Sequence, residues 1–86
     1  MGQTFKEKYE ACKTWHEKIL VMEIFHLAMR SRDSNWTVFK TAAEFGCSVG
    51  LVSENLRIAL ALHKHPQILQ SPNRADALIR LKEYSA

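Results

Sequence analysis

The sequence predicts an all-α fold, a compact domain of four to five helices in one 86-residue unit. Ala, Leu, Glu and Lys are frequent, and all four favour helix. Only three Gly and two Pro interrupt the chain, and apolar residues recur three and four positions apart. Hydrophobic residues make up 47% and charged residues 24%, which is the balance of a globular domain.

Residues 1–33 are expected to form the N-terminal helices. Capping-box spacing occurs twice, which predicts helix starts at Phe5 and Trp15. The two boxes are Thr4 with Glu7 and Thr14 with Glu17. One long helix from Thr4 to about Arg30 is the alternative, because no Gly or Pro lies between the two boxes.

The segment from Trp15 to Met29 is apolar over much of its helical circumference. One stripe contains Ile19, Met22, His26 and Met29, and an adjacent stripe contains Leu20, Ile24 and Leu27. Such a helix either lies at the centre of the core or also packs on a partner subunit.

Residues 37–64 have the spacing of a helix-turn-helix. Thr37 can cap a short helix, Val38–Phe45, and Gly46 can end it in a left-handed conformation. Ser48 can cap a second helix that runs to about Lys64 and is stopped by a following His-Pro pair. A C-terminal helix, residues 72–84, is expected to follow, with Ser71 as its cap and Pro72 at its first position.

The inner surface of this motif has the residues that a close helix crossing requires. Ala42 is small at the expected contact, and Val52 and Leu56 are spaced for the inward face of the second helix. We expect three further side chains to complete this surface: Phe39, Phe45 and Cys47.

The outer face of the second helix is unusual for a solvated surface. It is expected to present Ser48, Val49, Gly50, Ser53, Glu54 and Arg57. Small residues allow a helix backbone to sit deep in a DNA major groove, and Arg57 can pair with guanine or phosphate. We therefore treat these six residues as candidates for reading bases, with Glu54 the awkward member because its charge repels phosphate.

The net charge of +3 and pI of about 9.1 permit binding to a polyanion but do not demonstrate it. Hydroxyl and cationic side chains in or near the motif are candidates for phosphate contact. They are Thr37, Lys40, Thr41, Arg30, Arg32, Lys64 and Arg74.

The motif resembles the helix-turn-helix of ParB/KorB-type DNA-binding proteins and of small phage and plasmid regulators. The resemblance rests on residues 42–48 (AAEFGCS), on 52–59 (VSENLRIA) and on a tail with His65-Pro66 and residues 74–78 (RADAL). It covers roughly Trp36 to Leu81 and implies a recognition helix from Ser48 to Arg57. The 86 residues leave no room for the nucleotide-binding and dimerisation domains of full ParB proteins, so CTP hydrolysis and DNA sliding are not expected.

The sequence thus predicts a single domain, 1–86, that binds double-stranded DNA sequence-specifically through the major groove, as a transcriptional or replication and partition regulator. A homodimer is expected because two half-sites raise affinity, with the helix Trp15 to Met29 or the N-terminal helix as interface. The alternatives are a protein-interaction adaptor, as in a phage packaging or replication complex, and a structural helical bundle.

Other kinds of site are not expected. The Cys and His spacings do not match a zinc site, and neither a nucleophile triad nor a phosphate loop is present, so we expect no enzyme, metal, cofactor or small-molecule substrate. Two isolated cysteines, no signal peptide and no long apolar run favour the cytoplasm (the nucleoid, or the host cytoplasm for a phage protein), with no membrane association.

Overall fold

The computed structural model describes residues 4–85, with the side chains of the last two left out, and this range contains helices joined by turns and no β-strand. About 80% of these residues lie in α-helices or the 3-10 helix, so the predicted all-α class is confirmed. The α-helices are α1 (Phe5–Ala11), α2 (Trp15–Arg32), α3 (Val38–Phe45), α4 (Val49–Lys64) and α5 (Arg74–Ser85), with a 3-10 helix at Pro66–Gln70.

The predicted capping residues start the first two helices, so the alternative of one long N-terminal helix is wrong. Thr4 and Glu7 form the full capping box, with backbone-to-side-chain distances of 3.2 and 3.1 Å. The hydroxyl of Thr14 accepts a hydrogen bond from the backbone N–H of Glu17 at 3.3 Å. These caps satisfy N–H groups that the first helical turn leaves without a partner.

The C-terminal helix begins two residues later than predicted, at Arg74 instead of Pro72. The side chain of Asn73 accepts from the backbone N–H of Asp76 at 2.8 Å and therefore acts as the cap. Ser71 is instead buried beside α2, where its carbonyl accepts from the indole N–H of Trp15 at 3.0 Å. Because Ser71 is buried in a contact with α2, it does not cap α5, and Asn73 takes that role.

Two apolar clusters form the core, and α2 and α4 run through both in opposite directions. Ile19 near the start of α2 shares one cluster with Leu62 near the end of α4. Phe25 shares the other cluster with Val52 near the start of α4. The second cluster also contains Ala42 and Phe45 of α3 and the partly buried aromatic residues of α1, so α1, α2 and α3 together hold the start of α4 in place.

One predicted core residue of α3 is on the surface. The side chain of Phe39 is 68% exposed, although Phe45 and Ala42 are buried as expected and Cys47 packs against the same cluster. In an eight-residue helix the core side is narrow, and Thr41 takes the inward position instead.

In residues 4–85 no single helix has both the length and the hydropathy of a membrane span. Only α3 and α4 taken together reach that length and composition, and they are bent by 106° where they meet. This bend fixes the direction in which α4 projects from α3.

Candidate nucleic-acid interface

The angle of 106° between α3 and α4 arises in a turn of three residues, 46–48. Helix-turn-helix pairs join at roughly 90–120° through a three- to four-residue turn. Gly46 has a φ of 66°, the left-handed region where a side chain is strained, and the Cys47 N–H closes the turn on the Ala42 carbonyl at 3.1 Å. Ala42 is 4% exposed at the crossing, so its small size sets how closely the helices approach.

The outward stripe of α4 is polar in its first half and mixed in its second. Gly50 and Arg57 are exposed, and Ser53 between them is half-buried. Leu60, which is 56% exposed, separates Arg57 from the exposed Lys64. The polar part of the outward stripe therefore ends at Arg57, and an apolar side chain follows it.

Two residues at the start of α4 have local roles. The Ser48 hydroxyl caps α4 by accepting from the Leu51 N–H at 3.1 Å, and Ser48 remains exposed. Val49 was expected on the outer face, but it is half-buried and packs against the cluster of Phe25 and Phe45. The expectation that Val49 is exposed is therefore wrong, because the Val49 side of this helical turn lies against the core.

Glu54, whose charge would repel phosphate, is paired with a cation in the structure. Glu54 accepts a hydrogen bond from Nη2 of Arg74 at 2.7 Å, and Nε of Arg74 donates to Oδ1 of Asn55 at 2.6 Å. Asn55 is 1% exposed, and its Nδ2 lies 3.5 Å from the sulfur of Met22. Arg74 therefore neutralises Glu54 and ties the start of α5 to α4, so it does not extend freely as the phosphate-contact prediction assumes.

The prediction that Thr41 contacts phosphate is wrong, because its side chain is completely buried between α2 and α3. Its Oγ1 lies 2.7 Å from Nδ1 of His26 and accepts from Nε1 of Trp36 at 2.8 Å. Burial, and secondarily the charge of Arg30, lowers the pKa of His26 below 6.5. A neutral His26 then accepts at Nδ1 from the Thr41 hydroxyl.

The remaining phosphate candidates are exposed but differ in their availability. Lys40 lies 3.7 Å from Asp33 and over the Trp36 ring, and Arg30 donates to the Trp36 carbonyl at 3.2 Å. Thr37 makes no capping hydrogen bond with its side chain. Among residues 4–85, the cations with no ion pair, hydrogen bond or ring contact are Lys6, Lys13, Arg32, Arg57, Lys64 and Lys82.

Lys6 is the residue that sequence reasoning missed. A β-carbon built on Gly46 would lie 3.5 Å from Nζ of Lys6, so this ammonium group sits beside the turn that leads into α4. Phe5 and Tyr9 hold α1 there, with rings 5.3 Å from those of Phe25 and Phe45 respectively. No local signal places Lys6 at the turn, because the contact spans forty residues of sequence.

Cys47 lies in the turn between α3 and α4 and is half-buried. Burial raises the pKa of the Cys47 thiol, which disfavours the nucleophilic thiolate form. Within the described part of the chain, no three His, Cys, Asp or Glu side chains are grouped to hold a metal ion.

The chain matches no protein-family model, no curated protein and no solved structure.

Proposed function

We propose that this protein binds double-stranded DNA, with the first half of α4 in the major groove. The observation that carries the proposal is the 106° junction of α3 and α4, which projects an outer face of Ser48, Gly50, Ser53 and Arg57. A major groove about 12 Å wide admits one helix, and small side chains shorten the distance from the helix backbone to the base edges.

The charges around this face support the same function. Arg57 is exposed and has no ion-pair partner among residues 4–85, so pairing with guanine or phosphate would not break an existing contact. Glu54, the acid nearest in sequence, is already paired with Arg74. Lys6 beside the turn, and the positive end of the α4 dipole, add to the attraction for phosphate.

Fluorescence anisotropy of a labelled random-sequence duplex, measured over a salt series, tests the proposal. We expect binding at low salt that weakens steeply as salt rises, because bound cations are released from the phosphates. Arg57→Ala should cost roughly 1–3 kcal/mol of binding free energy. Lys82→Ala is the matched control, since it removes an exposed and unpaired charge from α5.

No binding at low salt would overturn the proposal. Equal effects of Arg57→Ala and Lys82→Ala on affinity would exclude α4 as the helix that contacts DNA. A protein-interaction adaptor is then the better candidate. One observation favours it specifically: Phe39 on α3 and Leu60 on α4 are large apolar side chains left 68% and 56% exposed. The adaptor would use the α3–α4 pair as a rigid scaffold for a protein partner.

A further inference from the structure

The outward side of α2 is an apolar stripe that its own chain leaves largely uncovered. Ile24 and Leu27 are 58% and 57% exposed, and Leu20, half-buried, continues the stripe one turn earlier. The opposite side of the same helix is the core, with Ile19, Met22, Phe25 and His26. Ile24 and Leu27 therefore lie outside the interior packing of the domain, whereas Leu20 also packs against the cluster of Ile19 and Leu62. We call Leu20, Ile24 and Leu27 the α2 stripe.

The edges of the α2 stripe are polar. On the α4 side, Oε1 of Glu23 is 2.9 Å from Nε2 of His63, so an ion pair or hydrogen bond joins α2 to α4 there. Leu60, which is 56% exposed, lies one helical turn before His63 on α4. The exposed Glu17 and Arg32 stand near the two ends of α2.

We infer that a second copy of this chain covers the α2 stripe, in an antiparallel α2–α2 contact centred on Ile24. In such a two-fold contact, positions equally far from the centre face each other. Position 17 then faces position 31 of the second copy, so Glu17 meets the last turn that contains Arg32. This contact between Glu17 of one copy and the last turn of α2 in the other occurs twice in the dimer, once at each end of the helix pair.

This distribution of charge selects a second copy as the occupant. Arg32 has no ion-pair partner among the described residues, and Glu17 is hydrogen bonded only to its own cap, Thr14. A parallel pair would place Glu17 against Glu17 and Arg32 against Arg32, which is repulsive. The other candidate interface, α1, already uses Phe5 and Tyr9 in its own core.

Sedimentation equilibrium of the full chain without DNA tests the dimer, so its result is independent of the proposed DNA binding. We expect a dimer in the wild type and a monomer at the same concentrations for Ile24→Glu, because two carboxylates would meet at the two-fold axis. We expect the dissociation constant to rise by at least a hundredfold, as when unpaired charges are buried. Ile79→Glu is the matched control, since Ile79 on α5 is 59% exposed and should leave the dimer intact.

A charge exchange tests the antiparallel register. Glu17→Arg and Arg32→Glu should each weaken the dimer roughly tenfold, and the double variant should restore it. All three variants, the two single ones and the double one, also oppose the α2 dipole, so restoration by the double variant reports the contact and not helix stability. Circular dichroism confirms that each variant is folded. A wild type that stays monomeric at near-millimolar concentration overturns the inference, as does a dimer sensitive to Ile79→Glu instead of Ile24→Glu.

Discussion

Nδ1 of His26 and Oγ1 of Thr41 are 2.7 Å apart in the buried contact between α2 and α3. The same threonine oxygen accepts from the indole N–H of Trp36 at 2.8 Å, so one hydroxyl satisfies two aromatic nitrogens. His26 and Thr41 are 5% and 0% exposed, which leaves water no access to replace this bond. These two hydrogen bonds join α2 and the residue Trp36 before α3 to α3 inside the domain and therefore help to stabilise that contact.

Replacing the hydroxyl should destabilise the fold without changing its shape. Thr41→Val keeps the volume but leaves Nδ1 of His26 and Nε1 of Trp36 without a partner, which should cost roughly 1–3 kcal/mol. Urea unfolding measures the loss. Thr37→Val is the control, because the exposed Thr37 makes no capping hydrogen bond and its change should cost far less. Equal losses would contradict this account.

Acid should weaken the folded state through His26. Burial and the Arg30 charge lower its pKa in the folded state below 6.5, so the unfolded chain takes up the proton first. Stability from this group is complete above pH 6.5 and is lost as the pH falls through that value towards the lower folded pKa. His26→Gln should be less stable at neutral pH yet lose less stability between pH 7 and 5. Parallel losses in the two proteins would exclude His26 as the cause.

Gly50→Ala should affect the stability of the fold and the affinity for DNA in opposite directions. A β-carbon there would meet only Oγ of Ser48 at 4.0 Å, so Gly50→Ala fits and should stabilise α4 by about 0.5–1 kcal/mol. Gly46→Ala should do the reverse, since its φ of 66° strains any side chain. Thermal unfolding distinguishes the two. If α4 enters the groove closely, Gly50→Ala also weakens duplex binding in the anisotropy assay while it raises the melting temperature.

Arg74 should act on DNA through Glu54 and not through its own contact with phosphate. Arg74→Gln leaves the buried Asn55 oxygen and the Glu54 carboxylate unpaired, so it should cost about 1–2 kcal/mol of stability and weaken duplex binding. Adding Glu54→Gln should restore the affinity, because the repulsive charge is gone, but not the stability. A double variant that still binds weakly would assign Arg74 a direct phosphate contact.

Lys6 should contribute one phosphate contact from outside the α3–α4 pair. Lys6→Gln should lower the salt slope of duplex binding by about one unit, as expected for one lost contact. Lys82→Gln removes an exposed charge from α5 and should leave the slope unchanged. If Lys6→Gln changes neither slope nor affinity, the approach of Lys6 to Gly46 has no role in binding. The stability of both variants should be close to that of the wild type.

Local signals predicted the helices well and the contacts between them poorly. Helix starts at Phe5, Trp15 and Val49 followed from capping residues, which act within four positions of the chain. The burial of Thr41 and the exposure of Phe39 did not follow, because hydrophobicity alone ranks them in the opposite order. Their placement depends on His26 and Trp36, whose positions only the folded chain defines.

In the candidate site, too, the local features were predictable from the sequence and the long-range contacts were not. The turn at Gly46 and the small outer face of α4 follow from spacing and residue size. The pairing of Glu54 with Arg74 and the approach of Lys6 to the turn join residues twenty and forty positions apart. Such contacts have no signature in a single sequence.

The two tryptophans lie in different halves of the molecule, since Trp15 packs on one core cluster and Trp36 on the other. Their indole environments are therefore separate optical reporters of the two halves. Because α2 and α4 pass through both clusters, single-tryptophan variants should melt in coincident transitions. A ligand or mutation that loosens only the half around α3 would change the emission of Trp36 and leave that of Trp15 unaltered.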